Sequence, residues 1–315
     1  MRLLLMKFFS SNLSKMLLSS LLTMSLGFSL NASADDSEQI KSSLMSRMTS
    51  ATGSFISSGI GAILSPNFDT VEVKTNLKEG NSMVDIGVLK AYGENPNSFL
   101  FNQINLNRYD DRTTLNLGLG YRRLNAEETW MTGVNAFYDH EFPYDHGRYS
   151  IGLEARSTVG EINANMYQAT TKWKTGKNGL QERALDGWDI EAGLPLPYMN
   201  WATVFVKRYE WSGEDGRKDI KGNDAQLRAY VPILPGLEIQ AGRTFKDDDK
   251  DSNYFTAIFN VTDAFSNKPK QPIQWFNDTA YKLESMEDRR YEKVRRENII
   301  VKQIGAGFIA KAVGV

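Results

Sequence analysis

The chain has 315 residues, no cysteine, and 37 Lys and Arg against 38 Asp and Glu, a formal net charge of −1. Without cysteine there is no disulfide framework, thiol nucleophile or cysteine metal site, and a near-neutral chain offers no basic patch for nucleic acid. Past the N-terminal region, no segment is apolar for long enough to cross a bilayer as a helix. The 25 Gly, 13 Tyr, 16 Phe and 6 Trp are typical of an exported β-barrel with a polar interior.

Residues 1–34 predict a signal peptide for export. Basic residues precede a mostly apolar run at 16–30, and the small residues Ala32-Ser33-Ala34 follow it. A membrane-spanning anchor is the alternative, but a serine-containing run of this length falls short of the about 20 apolar residues that a spanning helix needs. We therefore expect cleavage between Ala34 and Asp35.

Residues 35–66 predict a periplasmic N-terminal segment that is partly helical. Ile40, Leu44 and Met48 lie near one face of a helix over 37–58, whereas the glycines that follow favour fraying or a loose tether. A solvated lead-in and a helix that lies on the membrane or plugs a barrel both fit this pattern.

Twelve strand-like segments follow within residues 67–263. In one of them, Leu115, Leu117 and Leu119 alternate with polar or small residues. Several reach about ten residues or more, against about five or six in globular proteins. An even number of long alternating strands predicts an all-β fold, a closed 12-stranded antiparallel transmembrane β-barrel. The predicted strands are 67–76, 81–91, 98–108, 111–123, 129–140, 147–157, 160–171, 186–194, 199–210, 222–231, 236–246 and 252–263.

The connections between the predicted strands alternate in character. The turns at 194–197 and 232–236 contain proline, which suits the end of a strand. Outer-membrane barrels have short periplasmic turns and longer extracellular loops. We therefore expect a periplasmic N-terminus and extracellular charged loops, with the short turn at Tyr109-Asp110 as the one misfit. The charged loops are 140–147, 172–185, 211–221 and 247–251.

Motifs that would carry chemistry are scarce. His140 and His146 lie in or beside one predicted outer loop, where a solvated loop accounts for them better than a metal site. The aspartates at 247–251 imitate the start of a calcium loop, but Ser252 replaces the required glycine. The chain has no nucleophile elbow, phosphate loop or paired histidine and carboxylate motif. We predict that it is not an enzyme and has no catalytic residue, cofactor or metal.

Residues 264–315 form a C-terminal segment that is long enough to cross the barrel. About 50 residues at about 3.3 Å each exceed a hydrocarbon core of about 30 Å. Residues 281–296 have helix-forming composition with charges of both signs, and 299–301 predict a strand. A path through the lumen and a solvated periplasmic tail both fit these features. The predicted charged lumen positions are Glu154, Arg156, Asp189, Glu191, Arg228 and Glu238.

Four stretches resemble the β-domain of the inverse autotransporters, the intimin and invasin family. The similarity runs in order through residues 50–303. The stretches are NQINLNRYDDRTTLNLGLGYR (102–122), WMTGVNAFYDHEF (130–142), ERALDGWDIEAGLPLP (182–197) and RYEKVRRENIIV (290–301).

This resemblance implies a barrel of the bacterial outer membrane with a periplasmic N-terminus, surrounded by lipid. It implies that the segment after the last strand threads the pore and carries an adhesive passenger outside, as in type V secretion. The implied partners are the barrel-assembly machinery and periplasmic chaperones, together with a host-cell surface ligand for a passenger.

The chain departs from the family pattern at its C-terminus. It stops at Val315, shortly after the point where family members begin immunoglobulin-like repeats, and it lacks the peptidoglycan-binding module of some members. The expected function is the anchor and translocator domain of an intimin/invasin-like adhesin without its passenger, either truncated or reduced to its barrel. A stand-alone outer-membrane pore or a loop-mediated surface protein is the alternative, and an outer-membrane hydrolase is a third.

Overall fold

Twelve antiparallel strands close into a barrel, in which the first barrel strand pairs with the last. The computed structural model describes residues 67–76, 83–232, 234–264 and 275–305. The predicted signal peptide (1–34) and partly helical segment (35–66) lie outside the described residues. The predicted fold class, an all-β antiparallel barrel of twelve strands, is confirmed.

The barrel strands follow one another in sequence order, with one long insertion between β7 and β10. They are β1 (Thr70–Asn76), β2 (Val84–Asn95), β3 (Ser98–Tyr109), β4 (Arg112–Leu124), β5 (Trp130–Phe142), β6 (His146–Ser157), β7 (Gly160–Ala169), β10 (Gly187–Leu196), β11 (Met199–Trp211), β12 (Ile220–Tyr230), β13 (Leu237–Lys246) and β14 (Ser252–Asn260).

A second, three-stranded sheet joins the insertion to the end of the described chain. It contains β8 (Lys174–Thr175), β9 (Gln181–Ala184) and β15 (Lys302–Ile304), with β9 in the centre. We call it the cap sheet. The remaining elements are the short helix α1 (Val261–Ala264) and two 3-10 helices, Lys177–Gly179 and Glu287–Arg289. None of the helices in the described ranges has the length and apolar character needed to span a bilayer.

The two ends of the barrel differ in their connections. One end, here the turn end, has short connections together with the turn between β12 and β13. The other, the loop end, has one very short connection and several longer ones. The short turn-end connections are 96–97, 125–129, 158–159 and 197–198. The described loop-end connections are 110–111, 143–145, 170–186, 212–219 and 247–251.

The short connection at the loop end is a tight hairpin covered by the long insertion. Asp110 and Asp111 have φ of 51° and 61°, the left-handed pair that a type I′ turn requires. Lys177, from the insertion, places Nζ 2.8 Å from Asp110 Oδ1. The turn at 110–111 did not fit the predicted alternation of short and long connections. The long insertion 170–186 covers this turn.

Side chains alternate between the outer surface and the lumen, as the sequence predicts. On β4, Leu119 is 63% exposed, whereas Asn116 and Arg122 are fully buried inside. Exposed aromatic side chains lie near both ends of the apolar band. An apolar outside around a polar interior is the pattern of a barrel that lies in lipid. The aromatic residues are Tyr121, Trp130 and Tyr230 toward the turn end and Phe142, Tyr149 and Trp188 toward the loop end.

Glycines on the lumen face make room for inward aromatic rings. A Cβ on Gly118 would lie 2.1 Å from the Phe137 ring, and one on Gly120 would lie 2.2 Å from the Phe101 ring. Each ring therefore lies over the backbone of the neighbouring strand. Larger residues at these two positions would push the rings into the lumen.

Candidate functional site

The lumen of the barrel is occupied by the chain itself. Residues 284–301, here the lumen segment, begin at the turn end, where Glu284 N donates to Thr158 Oγ1 at 2.9 Å. They finish at the loop end, where Leu185 N donates to Val301 O at 3.0 Å and β15 then pairs with β9. The lumen segment therefore runs the full length of the barrel.

The lumen segment is mostly irregular, in contrast to the helix predicted for 281–296. Its only helical turn is the 3-10 helix Glu287–Arg289, and the C-terminal strand is 302–304 where 299–301 was predicted. The helix prediction was wrong because the backbone groups of the segment bond to the barrel wall in place of one another. Arg122 donates to Arg290 O at 2.8 Å, for example.

Six side-chain donors on the inner wall bind carbonyl oxygens along the lumen segment. Arg148 donates twice, to Glu297 O at 2.6 Å and to Ile299 O at 3.2 Å. In the reverse direction, Val294 N donates to Gln103 Oε1 at 2.8 Å. The wall thereby satisfies polar backbone groups that water or a helix would otherwise satisfy. The six donors are Thr70, Asn116, Arg122, Arg148, Arg156 and Asn165.

The centre of the site is the carboxylate of Asp139, held between two arginines. Arg148 from the wall and Arg296 from the lumen segment each lie 2.7 Å from Asp139 Oδ2, and all three side chains are fully buried. Asn116 Nδ2 donates to the other oxygen at 2.8 Å. One acidic wall residue thus pairs with one basic residue of the wall and one of the segment.

A second group of ion pairs lies nearer the turn end. Glu161 contacts both Arg289, at 3.3 Å, and Arg295, at 3.0 Å. Glu154 pairs with Arg122 at 2.6 Å and with Arg156 at 2.7 Å. Each of these wall arginines also donates to a carbonyl of the lumen segment, so the acidic residues hold the donors in place.

Apolar packing supports the polar contacts at both ends of the lumen segment. Met286 and Val294 belong to a buried cluster at the turn end, and Val301 belongs to another at the loop end. Burial of side chains of this size contributes about 1.5–3 kcal/mol each. The other members are Leu89, Ala91, Phe99, Phe101, Leu124, Met131 and Phe137 in the first cluster and Tyr167, Leu185, Tyr209 and Trp211 in the second.

An ion cluster at the loop end joins the wall to the cap sheet. Arg112 lies 2.8 Å from Glu141 and 2.6 Å from Glu182, and Lys302 pairs with Glu141. His146 Nε2 lies 3.6 Å from Glu182. Burial raises the pKa of Glu182, but its contacts with His146 and Arg112 outweigh burial and hold that pKa at about 2.

Glu141, His146 and Glu182 place potential metal-ligand atoms within 4.8 Å of one another. The two carboxylates already contact the positive charges of Arg112 and Lys302, so the arrangement acts as an ion-pair cluster. His140 takes no part, because it lies 3.4 Å from Asp145 on the outer side. The two histidines that the sequence places near one loop therefore do not meet.

A cavity of about 300 Å³ lies beside the lumen segment. The barrel strands that supply the hydrogen-bond and ion-pair partners named above are β1 to β7, whereas much of the cavity wall comes from β10 to β14. Glu191 and Arg228 pair across it at 2.9 Å. The segment therefore lies against one side of the lumen.

All six predicted charged lumen positions point inward. Arg156 bonds the lumen segment directly and Glu154 supports it. Four others line the cavity: Asp189, Glu191, Arg228 and Glu238. Sequence reasoning left the partners Arg148 and Glu161 out of the prediction. Both lie in predicted strands, at positions where the alternation of side chains places them inside the barrel, and this alternation could have identified them.

Comparison with known proteins places this arrangement in a family. Residues 23–298 match the inverse autotransporter β-domain. A putative attaching and effacing protein homolog of Escherichia coli K12 is 32% identical over 178 residues, which cover 53% of this chain and 60% of that protein. The inverse autotransporter adhesin YeeJ of the same strain is 29% identical over 275 residues, 80% of this chain and 10% of YeeJ. Invasin of Yersinia enterocolitica is 25% identical over 177 residues, 53% of this chain and 21% of invasin.

The chain thus spans less than two thirds of each of these relatives. A membrane-protein structure solved in work on in-meso crystallization has a TM-score of 0.66 at 20% identity, covers 76% of this chain and 100% of its own, and supports the fold alone. The family match covers more than half of the chain. The chain therefore belongs to the inverse autotransporter β-domain family, and its barrel is an anchor and translocator domain of the bacterial outer membrane.

Proposed function

We propose that this barrel holds and passes outward a polypeptide that continues beyond the cap sheet. One observation carries the proposal: the lumen segment runs from the turn end to the loop end and is bonded to the wall along its length. The relatives named as an adhesin and an invasin support an adhesive passenger. In this function the barrel is an anchor with no enzymatic step, and a host-cell surface ligand would bind the passenger.

The experiment is a surface-display assay. A compact epitope tag is fused after Val315, and intact cells are probed with antibody before and after added protease. We expect surface staining that protease removes. The matched control carries the same tag directly after Ala34 and remains unstained. Staining of the C-terminal fusion only after the outer membrane is permeabilised would contradict the proposal.

The proposed direction places the turn end in the periplasm and the loop end outside. The short turns and longer charged loops support it. An introduced cysteine at Lys218, an exposed loop-end residue, is expected to react with an impermeant maleimide on intact cells. One at Ala126, exposed at the turn end, is expected to react only after permeabilisation. The opposite result would reverse the topology.

The same proposal includes maturation and assembly. Cleavage between Ala34 and Asp35 would release the signal peptide and leave the N-terminal segment in the periplasm, where chaperones and the barrel-assembly machinery would receive the chain. Intact-mass measurement of protein from the outer-membrane fraction is expected to give a chain that begins at Asp35. Retention of residues 1–34 would contradict this maturation.

A stand-alone pore is the second candidate, and the cavity beside the lumen segment is the observation in its favour. The two functions differ in single-channel conductance. For an anchor closed by its own chain, we expect low conductance in the full chain and a large increase after truncation behind Ala264. A full chain that already conducts as well as the truncated chain would favour the pore.

A further inference from the structure

The chain between α1 and the lumen segment follows the rim of the barrel before it enters. Residues 275–283, here the rim segment, are fastened to the turn between β10 and β11. Asn277 N donates to Tyr198 O at 2.8 Å, and Tyr198 N donates to Ala280 O at 3.1 Å. Residues 275–283 are thus outside the lumen, although 264–315 was expected to run through or into it.

An indole pair fixes the start of the rim segment. Trp201 Nε1 donates to Trp275 O at 2.9 Å, and the two rings lie edge to face with centroids 5.7 Å apart. Three hydrogen bonds to backbone groups of the rim segment and one pair of indole rings therefore hold it in place. The segment itself has no regular secondary structure. Its position on the rim is defined by these contacts.

The rim segment presents large apolar side chains that no described residue covers. Phe276 is 71% exposed, and three others are exposed by nearly half. Exposed apolar side chains gathered on a fastened segment mark a contact surface. The exposed set is Trp275, Phe276, Tyr281 and Leu283.

This apolar surface continues the lipid-facing surface of the barrel. Leu194, near the turn end of β10, is 54% exposed on the lipid side, and Tyr198 follows in the turn that binds the rim segment. Tyrosine and tryptophan favour the membrane–water interface, and aromatic residues form a girdle at each end of outer-membrane barrels. Exposed apolar side chains thus occur at the turn end of β10, in the following turn and on the rim segment bonded to that turn.

Polar residues of the same segment fit a position at the membrane surface. Asp278 is exposed between the two apolar pairs, and Lys282 pairs with Glu284 at 2.7 Å. An interfacial segment needs apolar side chains toward the acyl chains and charged groups toward water. The rim segment has both within nine residues.

We propose that the rim segment lies in the headgroup layer of the leaflet at the turn end, with Trp275, Phe276, Tyr281 and Leu283 in contact with lipid. Lipid contact then holds the chain outside the barrel until residue 284, where it turns into the lumen. The segment supplies a second membrane contact, separate from the barrel strands.

The test uses the absence of native cysteine. Single cysteines at Phe276, Leu283 and Asp278 are labelled with an environment-sensitive fluorophore in the full-length barrel, reconstituted in phosphatidylcholine vesicles. Brominated acyl chains then act as the quencher. Leu119→Cys on the lipid face is the positive control, and Lys218→Cys in a loop is the negative control. Heat-modifiable electrophoretic mobility shows that each variant is folded.

At 276 and 283 we expect blue-shifted emission and loss of intensity in brominated lipid, as at 119, whereas 278 should behave more like 218. Water-like, unquenched emission at both 276 and 283 would overturn the proposal. Shielding that arises only when a second protein or a second copy is added would overturn it equally. A separate readout avoids the labels: the emission lost in Trp275→Phe is the contribution of Trp275, and it should be quenched by the same lipid.

Discussion

A single carboxylate, that of Asp139, joins an arginine of the barrel wall to an arginine of the lumen segment. It faces two fully buried guanidinium groups, those of Arg148 and Arg296, at 2.7 Å each. Removal of a charge from water is costly, and a buried charge that loses its partner is strongly destabilising. Neither arginine has another carboxylate among its ion-pair partners in the described chain.

The substitution Asp139→Asn is therefore expected to destabilise the folded protein by about 3–5 kcal/mol, because two buried cations lose their counter-charge. Urea titration of the heat-modifiable mobility in detergent measures the effect. Asp248→Asn is the matched control, since Asp248 pairs with Lys218 at 3.3 Å on the exposed surface and such pairs contribute about 0–1 kcal/mol. Equal midpoints for the two variants would show that the lumen pair is as hydrated as the surface pair.

The Glu182 carboxylate also attracts Lys302 of β15, so we expect the docking of β15 to be sensitive to acid. Its pKa is lowered from 4.5 to about 2 in the folded state, so its favourable contacts are fully present above pH about 4.5 and are lost as the pH falls toward 2. Spin labels on introduced cysteines at 175 and 304 lie two strands apart, about 10 Å. Dipolar broadening between them should decrease across this range. The same decrease in Glu182→Gln would remove Glu182 as its cause.

At the scale of elements, the cap sheet joins two distant parts of the chain. β9 belongs to the insertion before β10, and β15 follows the lumen segment. Their register places Lys302 opposite Ala184, Gln303 opposite Arg183 and Ile304 opposite Glu182. This pairing fixes where the chain leaves the barrel.

The register predicts a disulfide between introduced cysteines at Arg183 and Gln303. Directly opposed residues in an antiparallel pair have Cα atoms about 4.5–5.5 Å apart, within the range that a disulfide spans. The matched control pairs Gln303→Cys with Gln181→Cys, a diagonal neighbour at about 7–8 Å. Thiol titration after mild oxidation should show a bond in the first variant and little in the second. Preferential bonding in the control would mean that the register is shifted.

At the scale of the whole molecule, the barrel and its inward positions could be predicted from sequence, but the course of the lumen segment could not. Period-two alternation is local and long, so the twelve strands and the faces of most of them follow from pattern alone. In 98–108 and 199–210 apolar residues lie on both faces, so pattern could not assign the inward side chains there. The charges of 281–296 favoured a helix because no pattern reveals that donors such as Arg122 and Arg148 meet its carbonyls. Those contacts join residues more than 140 positions apart.

The barrel should persist without the lumen segment. Each barrel strand pairs with two other barrel strands, and none of these pairings involves residues 284–301. Truncation behind Ala264 is therefore expected to leave a folded, heat-modifiable barrel with a lower transition temperature, because the contacts of Met286, Val294 and Val301 are lost. Truncation behind Gly305 is the control and should match the full chain. If the shorter chain did not fold, the lumen segment would be required for the barrel to close.

The antiparallel pairing of β15 with β9 has a mechanical consequence. Hydrogen bonds in such a pair lie perpendicular to the strands, so tension applied at Gly305 along β15 loads them in shear and all at once. The ion pair of Lys302 with Glu141 shares that load with the barrel wall. A pull on a polypeptide attached beyond the cap sheet is thus borne at the mouth of the barrel, and the contacts inside the lumen stay unstressed until the cap sheet gives way.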